Sequence, residues 1–251
     1  MWGRGAPALT ERLGRKVRTL GMRKISGIWP RGVVSFTFDD FPKTAFTSGG
    51  AILERYGARA TYYTAFGLAG CRDAVGEMFD VEMARSVHAH GHELACHTYS
   101  HLYCARAERT FLREEVARNA RMVAPITGKT KIASFSYPFG AASPSARAVM
   151  TPLFSSCRGI QPGINVGVPD YGELNANSIY AARYDPASTR ALIDRTIDVG
   201  GWLIFYTHDV RQEPSPFGCT PAQLEAVVDH VAQRAPILRV DEVVAQVRYH
   251  A

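Results

Sequence analysis

The chain has 251 residues, of which 46% are hydrophobic and 21% are charged, the composition of an ordinary globular protein. This length is enough to bury a large core, and the simplest division is a basic arm over residues 1–30 followed by one folded domain over residues 31–251. No apolar run is long enough to span a bilayer, and the basic start lacks the apolar core of a secretory signal. We therefore expect a cytoplasmic protein whose arm is solvated or contacts a membrane surface.

The charge and cysteine content exclude further classes. The chain carries 29 Lys and Arg against 23 Asp and Glu, a net charge of +6. Much of that excess lies in the first 31 residues, without the interleaved aromatic residues of a strand-binding groove, so we expect no nucleic-acid partner. The five cysteines show no C-x-x-C spacing, which argues against a disulfide framework and a structural zinc site and favours free thiols.

Strands and helices are predicted to alternate along the domain. Runs rich in Val, Ile, Phe and Tyr predict short strands at residues 33–38, 60–64, 93–96, 134–137, 155–157, 179–182, 203–207 and 237–240. Helical patterns lie between them, including one capped by Asp80, one with apolar residues at 112, 116, 120 and 123, and one begun by a capping box at Thr220. Residues 159–172 are rich in Gly and Pro and predict a long loop. Repeated strand and helix units indicate an α/β fold with a mainly parallel sheet that can close into a barrel.

Two separate segments supply the groups of a metal centre. Asp39 and Asp40 end the first strand, and His97 and His101 are spaced i, i+4, which on one helical turn would place both imidazoles on the same side. Asp40, His97 and His101 would leave open positions on a bound cation, as catalytic sites do. Two nitrogens and one oxygen suit Zn²⁺, and Co²⁺, Ni²⁺ or Fe²⁺ would also fit.

Each of these signals also has a simpler explanation. An Asp pair alone is more often a solvated turn. His88 and His92 repeat the i, i+4 spacing of His97 and His101, and we interpret this second pair as the end of a helix, with His92 lining the core. His208 alone would be a structural histidine. The catalytic interpretation of His208 gains weight because, like Asp40, His97 and Pro138, it follows a predicted strand by only a residue or two, so that all four would lie on one rim of the sheet.

These motifs resemble the polysaccharide deacetylases of the NodB homology type, carbohydrate esterase family 4. The matching segments, in the family's order, are Thr37-Phe38-Asp39-Asp40, His97-Thr98-x-x-His101, Phe135-Ser136-Tyr137-Pro138-Phe139-Gly140 and Tyr206-Thr207-His208-Asp209. The resemblance implies a distorted (β/α) barrel in which Asp40, His97 and His101 bind the metal. It also implies Asp39 as general base, His208 as general acid, the Phe139 backbone N–H as oxyanion donor, and Tyr137 and Pro138 beside the substrate.

The chain departs from the family pattern at three points. Ser136 stands where many members have an arginine that pairs with the base, so the pKa of Asp39 must be set by another group, Arg183 or Arg158. Phe41 replaces the glycine after the Asp pair and would narrow the mouth or form an aromatic wall for a sugar. The acidic and Trp motif that supports the acid histidine is matched only loosely, by Asp198 and Trp202.

The resemblance implies a metal-dependent hydrolase that removes N-acetyl groups from an amino-sugar polysaccharide, oligosaccharide or glycan precursor. Two alternatives remain open: a deformylase or cyclic-amide hydrolase on the same fold, and a glycan-binding module that has lost catalysis. A serine hydrolase is disfavoured because no G-x-S-x-G motif occurs.

Overall fold

A seven-stranded parallel sheet forms the centre of the protein. The computed structural model describes residues 28–247, so nearly all of the predicted basic arm lies outside the described residues. The sheet strands are β1 (Val33–Asp40), β2 (Thr61–Thr64), β5 (Glu93–Cys96), β6 (Ser134–Ser136), β7 (Ser156–Arg158), β8 (Asn177–Ser178) and β9 (Trp202–Thr207), in the order β7-β6-β5-β2-β1-β9-β8. A short antiparallel hairpin, β3 (Arg72–Asp73) and β4 (Gly76–Glu77), stands apart.

The sheet curls into a half-barrel, in agreement with the predicted α/β barrel-like fold. The long loop over residues 159–172 connects the edge strand β7 with β9: Leu174, just beyond the loop, bridges Arg158 on β7, and Asn165 within it bridges Trp202 on β9. This loop therefore spans the gap that the sheet leaves open.

Two predicted strands were misplaced. The strand expected at residues 179–182 is Asn177–Ser178, and the chain turns away soon after it because Ala181 donates to the Gly218 carbonyl oxygen. The run at residues 237–240 forms only a bridge between Ile237 and Val34, because a helix begins at Val240. In both places apolar residues are buried by packing without a regular strand.

Seven α-helices surround the sheet in the described part of the chain. They are α1 (Ala51–Arg55), α2 (Val81–Ala89), α3 (Arg109–Thr127), α4 (Pro144–Leu153), α5 (Pro186–Asp198), α6 (Pro221–Ala232) and α7 (Val240–Gln246). The predicted caps are confirmed: the Asp80 carboxylate accepts from the Met83 N–H at the start of α2, and Thr220 forms a capping box with Gln223 at the start of α6. Within residues 28–247, no helix is long and apolar enough to cross a membrane.

The two faces of β1 have different roles. Val34, Phe36 and Phe38 belong to the main hydrophobic core, together with apolar residues of α1, α2 and α6. The alternate residues, which include Thr37 and Asp39, point to the other face of the sheet because strand side chains alternate. Buried polar side chains on this inner face form the floor beneath the predicted site.

Candidate active site

Four of the predicted site residues lie on one rim of the sheet. Asp39 and Asp40 end β1, His97 directly follows β5, and His208 directly follows β9. β1 is paired in parallel with β9, and β5 is joined to β1 through β2, also in parallel. The carboxyl ends of parallel strands meet at one edge, which is where α/β proteins usually bind ligands.

Asp40, His97 and His101 form a cluster whose ligand atoms all lie within 4.8 Å of one another. Asp40 Oδ1 is 3.1 Å from His101 Nε2 and 3.4 Å from His97 Nε2. The predicted helical turn is wrong: residues 97–101 form a loop in which Thr98 and His101 have positive φ values of 60° and 56°. The loop, rather than helical spacing, brings the two imidazoles together.

A buried carboxylate on α3 holds this histidine loop (residues 97–101) in place. Glu115 Oε2 accepts hydrogen bonds from the Tyr99 N–H at 3.1 Å, the Ser100 N–H at 2.7 Å and the Ser100 hydroxyl at 2.7 Å. One turn further along α3, the Asn119 side chain donates to the Thr64 carbonyl oxygen at 2.9 Å. Sequence reasoning missed both residues, although they share the helical face of Leu112 and Val123, where a buried polar side chain needs a partner.

Ser136 fixes the orientation of the His97 ring. His97 Nδ1 lies 2.6 Å from the Ser136 hydroxyl and 2.9 Å from the Ser136 carbonyl oxygen. A proton on Nδ1 can be donated to that carbonyl, which leaves Nε2 as a free lone pair toward Asp40. The serine in the third motif, where the sequence comparison expected an arginine, thus orients one residue of the Asp40, His97 and His101 cluster.

The electrostatics of the cluster suit a divalent cation. Burial lowers the pKa of His97 to about 3 and also lowers the pKa of His101, so both rings are neutral ligands at neutral pH. Burial raises the pKa of Asp40 to about 6, against the opposing effect of His208. Asp40 Oδ1 is buried without a hydrogen-bond partner. A cation between these three side chains would satisfy that oxygen and favour its charged form.

Arg158 is the partner of the predicted base. Its guanidinium, fully buried on β7, donates to both carboxylate oxygens of Asp39, at 2.6 Å to Oδ2. Burial alone would raise the pKa of Asp39, but Arg158, with help from His97 and His208, holds it below its ordinary value. The other candidate, Arg183, is exposed.

Two tyrosines enclose the Arg158 guanidinium. Its central carbon lies 4.9 Å from the ring centroid of Tyr63 and 4.9 Å from that of Tyr206. Both contacts are within the range of cation–π attraction, which is strongest when the cation is desolvated. The guanidinium is therefore fixed before any substrate arrives, and Asp39 with it.

His208 and Phe139 complete the rim. His208 Nε2 lies 3.7 Å from Asp40 Oδ2, and its Nδ1 lies 3.2 Å from the Phe217 carbonyl oxygen. Phe139 occupies a tight turn after β6 with a φ of 59°. Within residues 28–247 its N–H makes none of the hydrogen bonds found for its neighbours Gly140 and Ala141, so it is free to donate to a ligand.

Comparison with known proteins decides the family. The model of the family described as polysaccharide deacetylase matches residues 27–153, half of the chain. The chain belongs to the polysaccharide deacetylase family. It is accordingly a hydrolase of the deacetylase type, and the family resemblance seen in the sequence is confirmed. A search of curated proteins finds no match.

Solved structures similar to this family member share its fold. A family 4 carbohydrate esterase from Streptomyces lividans, in complex with acetate, is 19% identical, with a TM-score of 0.56 and coverage of 88% of this chain and 97% of the other. A family 4 acetyl xylan esterase from Clostridium thermocellum, in complex with a cobalt ion, is 20% identical, with a TM-score of 0.55 and coverage of 85% and 90%. The Xyl-CE4 domain of a multidomain xylanase from the hindgut metagenome of Trinervitermes trinervoides is 17% identical, with a TM-score of 0.56 and coverage of 86% and 91%.

Some residues predicted to line the site of this deacetylase family member do not offer their side chains to it. Phe41 is fully buried and stacks on Phe79 with centroids 4.7 Å apart, so the predicted aromatic wall is wrong. Trp202 is also buried, at the opposite end of β9 from His208, where its indole N–H donates to Ser35. The predicted support of His208 by Trp202 is therefore wrong.

The remaining predicted neighbours of the site have structural contacts. Asp198 ends α5 and precedes β9, away from the rim. Tyr137 and Pro138 are buried, and the Tyr137 hydroxyl donates to the Gly172 carbonyl oxygen at 3.1 Å. They shape the turn that presents Phe139. Cys96 and Cys104 are buried free thiols, as expected from their apolar surroundings.

Proposed function

We propose that this protein removes N-acetyl groups from an amino-sugar-containing glycan with a divalent metal bound by Asp40, His97 and His101. The observation that carries the proposal is the placement of Asp39, ionised by Arg158, and of His208 beside a cluster of three metal-ligating side chains. Binding alone would require neither an acid nor a base, so this arrangement favours an enzyme over a glycan-binding module.

The donor set fits a catalytic cation. One carboxylate oxygen and two neutral imidazole nitrogens form a donor set that would leave positions on a bound cation open, and Zn²⁺ is the metal that we propose. When bound, such a cation supplies Lewis acidity, which activates both a carbonyl group and a water molecule. The cobalt ion of the Clostridium thermocellum esterase supports the metal requirement by analogy.

Asp39 is suited to act as the general base. Its carboxylate ends β1 directly beside the ligand Asp40, and the ion pair with Arg158 keeps it charged at neutral pH. It can therefore accept a proton from the attacking water as the carbonyl carbon becomes tetrahedral. Because Arg158 is held by Tyr63 and Tyr206, the base does not have to reorient during the reaction.

The other two groups act on the oxygen and the nitrogen of the amide. The Phe139 N–H, free of an internal acceptor, can donate to the carbonyl oxygen as negative charge develops there. His208, oriented by the Phe217 carbonyl oxygen, can give a proton to the departing amine, which is too basic to leave as an anion.

Acetate release with metal analysis tests this proposal. We expect zinc-loaded protein to release acetate from N-acetylglucosamine oligomers, His97→Ala to lose both metal and activity, and Asp39→Asn to keep the metal but lose turnover. His88→Ala is the matched control because His88 lies on α2 and not on the rim.

The same assay separates the alternatives. Formate release or ring-opened products in place of acetate would favour a deformylase or a cyclic-amide hydrolase, and release from acetylated xylan alone would indicate an ester substrate. Full metal occupancy in His97→Ala would contradict the ligand assignment. No product from any substrate, with glycan binding unchanged in Asp39→Asn, would favour the binding module.

A further inference from the structure

Positive charge is concentrated on the exposed side of α3 and on the loop that follows it, which together we call the basic face (residues 109–131). Six cationic side chains are exposed there: Arg109, Arg113, Arg118, Arg121, Lys129 and Lys131. Glu114 is the exposed acid of the same segment, because Glu115 is buried against the histidine loop. Six positive charges therefore stand against one negative charge at this surface.

The protein's own acids do not neutralise these cations. Within residues 28–247, none of the six forms an ion pair, whereas Arg55 and Arg147 elsewhere lie 2.6 Å and 2.7 Å from a carboxylate oxygen. Arg109 donates to the Ser145 hydroxyl at 3.2 Å, and the Arg118 guanidinium lies 3.7 Å from the Tyr99 ring centroid. Both of these partners are neutral, so the charge of the basic face is available to an anionic partner.

Exposed apolar side chains lie among the cations. Phe111 is 47% exposed and Met122 is 38% exposed. They are separated by about three helical turns, so both lie on the same side of α3, with Arg118 between them. The adjacent helix α4 packs against α3 and ends in Leu153, which is 40% exposed. The basic face therefore combines unpaired positive charge with exposed apolar surface.

We infer that the basic face binds the surface of an anionic phospholipid bilayer, which makes this a peripheral membrane protein. Lipid phosphates would neutralise the guanidinium and ammonium groups, and Phe111 and Met122 would enter the boundary between headgroups and acyl chains. A nucleic acid duplex would offer phosphates but no apolar layer for these two side chains, so a bilayer accounts for both features. The inference is independent of the proposed reaction, because the basic face contains none of the candidate catalytic or metal-binding residues.

Co-sedimentation of the full chain with vesicles tests the inference. One set of vesicles is pure phosphatidylcholine, and the other is an equimolar mixture with phosphatidylglycerol. We expect binding to the anionic vesicles alone, and binding that weakens as salt is added. Arg113→Gln and Arg121→Gln together should lower the partition coefficient about 30-fold, equal to about 2 kcal/mol, since each arginine near an anionic surface contributes about 1 kcal/mol.

Arg190→Gln and Arg195→Gln together are the matched control. Both arginines are exposed on α5, which packs against α6 and β9, and the change in net charge is the same. Both double variants keep residues 1–27, so any binding through that basic segment is common to them. We expect the control to bind as the parent does. An equal loss in the two double variants would show that binding follows net charge alone and would overturn the inference, as would a parent that binds neither kind of vesicle.

A third double variant tests the apolar part of the contact. Phe111→Ser and Met122→Ser together should lower the partition coefficient about tenfold, whereas Val199→Ser, at an exposed apolar position after α5, should not change it. All of these side chains are exposed, so thermal unfolding should match the parent. Vesicle binding that is unchanged in the Phe111 and Met122 variant would overturn the bilayer as the partner. The same conclusion would follow if the Arg113 and Arg121 variant lost binding to a labelled DNA duplex but not to vesicles.

Discussion

The ion pair between Arg158 and Asp39 sets the charge of the proposed base. Arg158→Gln would leave a buried carboxylate without its cation, and breaking such a pair costs about 3–5 kcal/mol of unfolding free energy. In the parent, the lowered pKa of Asp39 gives stability that is present above the unfolded pKa and lost as pH falls through the folded pKa. Arg158→Gln removes the largest effect that opposes burial, which raises the pKa of Asp39, so the acidic limb of kcat/KM should move to higher pH.

Urea unfolding and a pH profile of kcat/KM measure these effects. Arg183→Gln is the control, because it removes an exposed arginine that follows β8 and has no contact with Asp39. Both measurements on this variant should match the parent. Arg158→Lys should restore part of the acidic limb, since it returns the charge without the paired donors. An unshifted acidic limb in Arg158→Gln would show that Asp39 is not the group that titrates.

The inner face of α3 supports the loop that carries the candidate metal ligands His97 and His101. Glu115 accepts three hydrogen bonds from the histidine loop, in which Thr98 and His101 have positive φ. Glu115→Gln has the same shape but replaces one acceptor oxygen with a donor, so the loop should shift and zinc affinity should fall about 10–100-fold, as for other supporting residues of metal sites.

Competition with a zinc chelator measures this affinity. Glu114→Gln makes the same chemical change on the exposed face of α3 and should leave zinc affinity unchanged. If Glu115→Gln binds zinc as tightly as the parent while its unfolding free energy falls, Glu115 supports the fold without positioning the ligands.

The turn after β6 positions the Phe139 N–H. Gly140 has a φ of +64°, and a Cβ added there would lie 2.2 Å from Ile160 Cγ1. Gly128, which ends α3, has a φ of +67° and open space around it. Both Gly→Ala substitutions carry the strain of positive φ, about 1 kcal/mol, but only Gly140→Ala also displaces Ile160 or the turn.

We therefore expect Gly140→Ala to lose more unfolding free energy than Gly128→Ala and to lower kcat, because the oxyanion donor moves with the turn. Thermal unfolding and acetate-release kinetics of the two variants measure this. A kcat in Gly140→Ala equal to that in Gly128→Ala would argue against the role of the Phe139 N–H.

The sequence predicted the parts of the fold that depend on local patterns. The apolar runs placed β1, β2, β5 and β9 within about two residues, and the caps at Asp80 and Thr220 marked the starts of α2 and α6. These predictions succeed because an apolar run and a helix cap can both be recognised from residues close together in the sequence.

The parts that failed depend on distant partners. To choose Arg158 over Arg183, one would have to know that the Arg158 side chain on β7 points to the same inner face of the sheet as Asp39. The two residues are 119 positions apart in sequence. Phe41 was misassigned because its positive φ of 67° turns an aromatic ring into the core rather than toward the mouth. Such placements follow from the packing of the sheet, which spacing along the chain does not reveal.

The end of the sheet opposite the candidate active site contains another buried acid, Glu93, that affects the stability of the entire domain. Glu93, at the start of β5, accepts from the Thr61 hydroxyl at 2.6 Å and from the Asp241 N–H at 3.1 Å, so it joins β2, β5 and α7. Burial, followed by the nearby Asp241 carboxylate, raises the pKa of Glu93 to about 7. A raised folded pKa gives stability that is present below the unfolded pKa and lost as pH rises through the folded pKa.

Glu93→Gln should therefore reduce this pH dependence, because the amide resembles the protonated acid and does not ionise. Between about pH 4.5 and pH 7.5 the parent should lose up to about 3 kcal/mol of unfolding free energy more than Glu93→Gln loses. Urea unfolding at several pH values measures the difference, with Glu114→Gln, on an exposed position, following the parent curve. Parallel curves for the parent and Glu93→Gln would mean that Glu93 ionises at the same pH in the folded and unfolded chain, and that its burial between β2, β5 and α7 is compensated by hydrogen bonds alone.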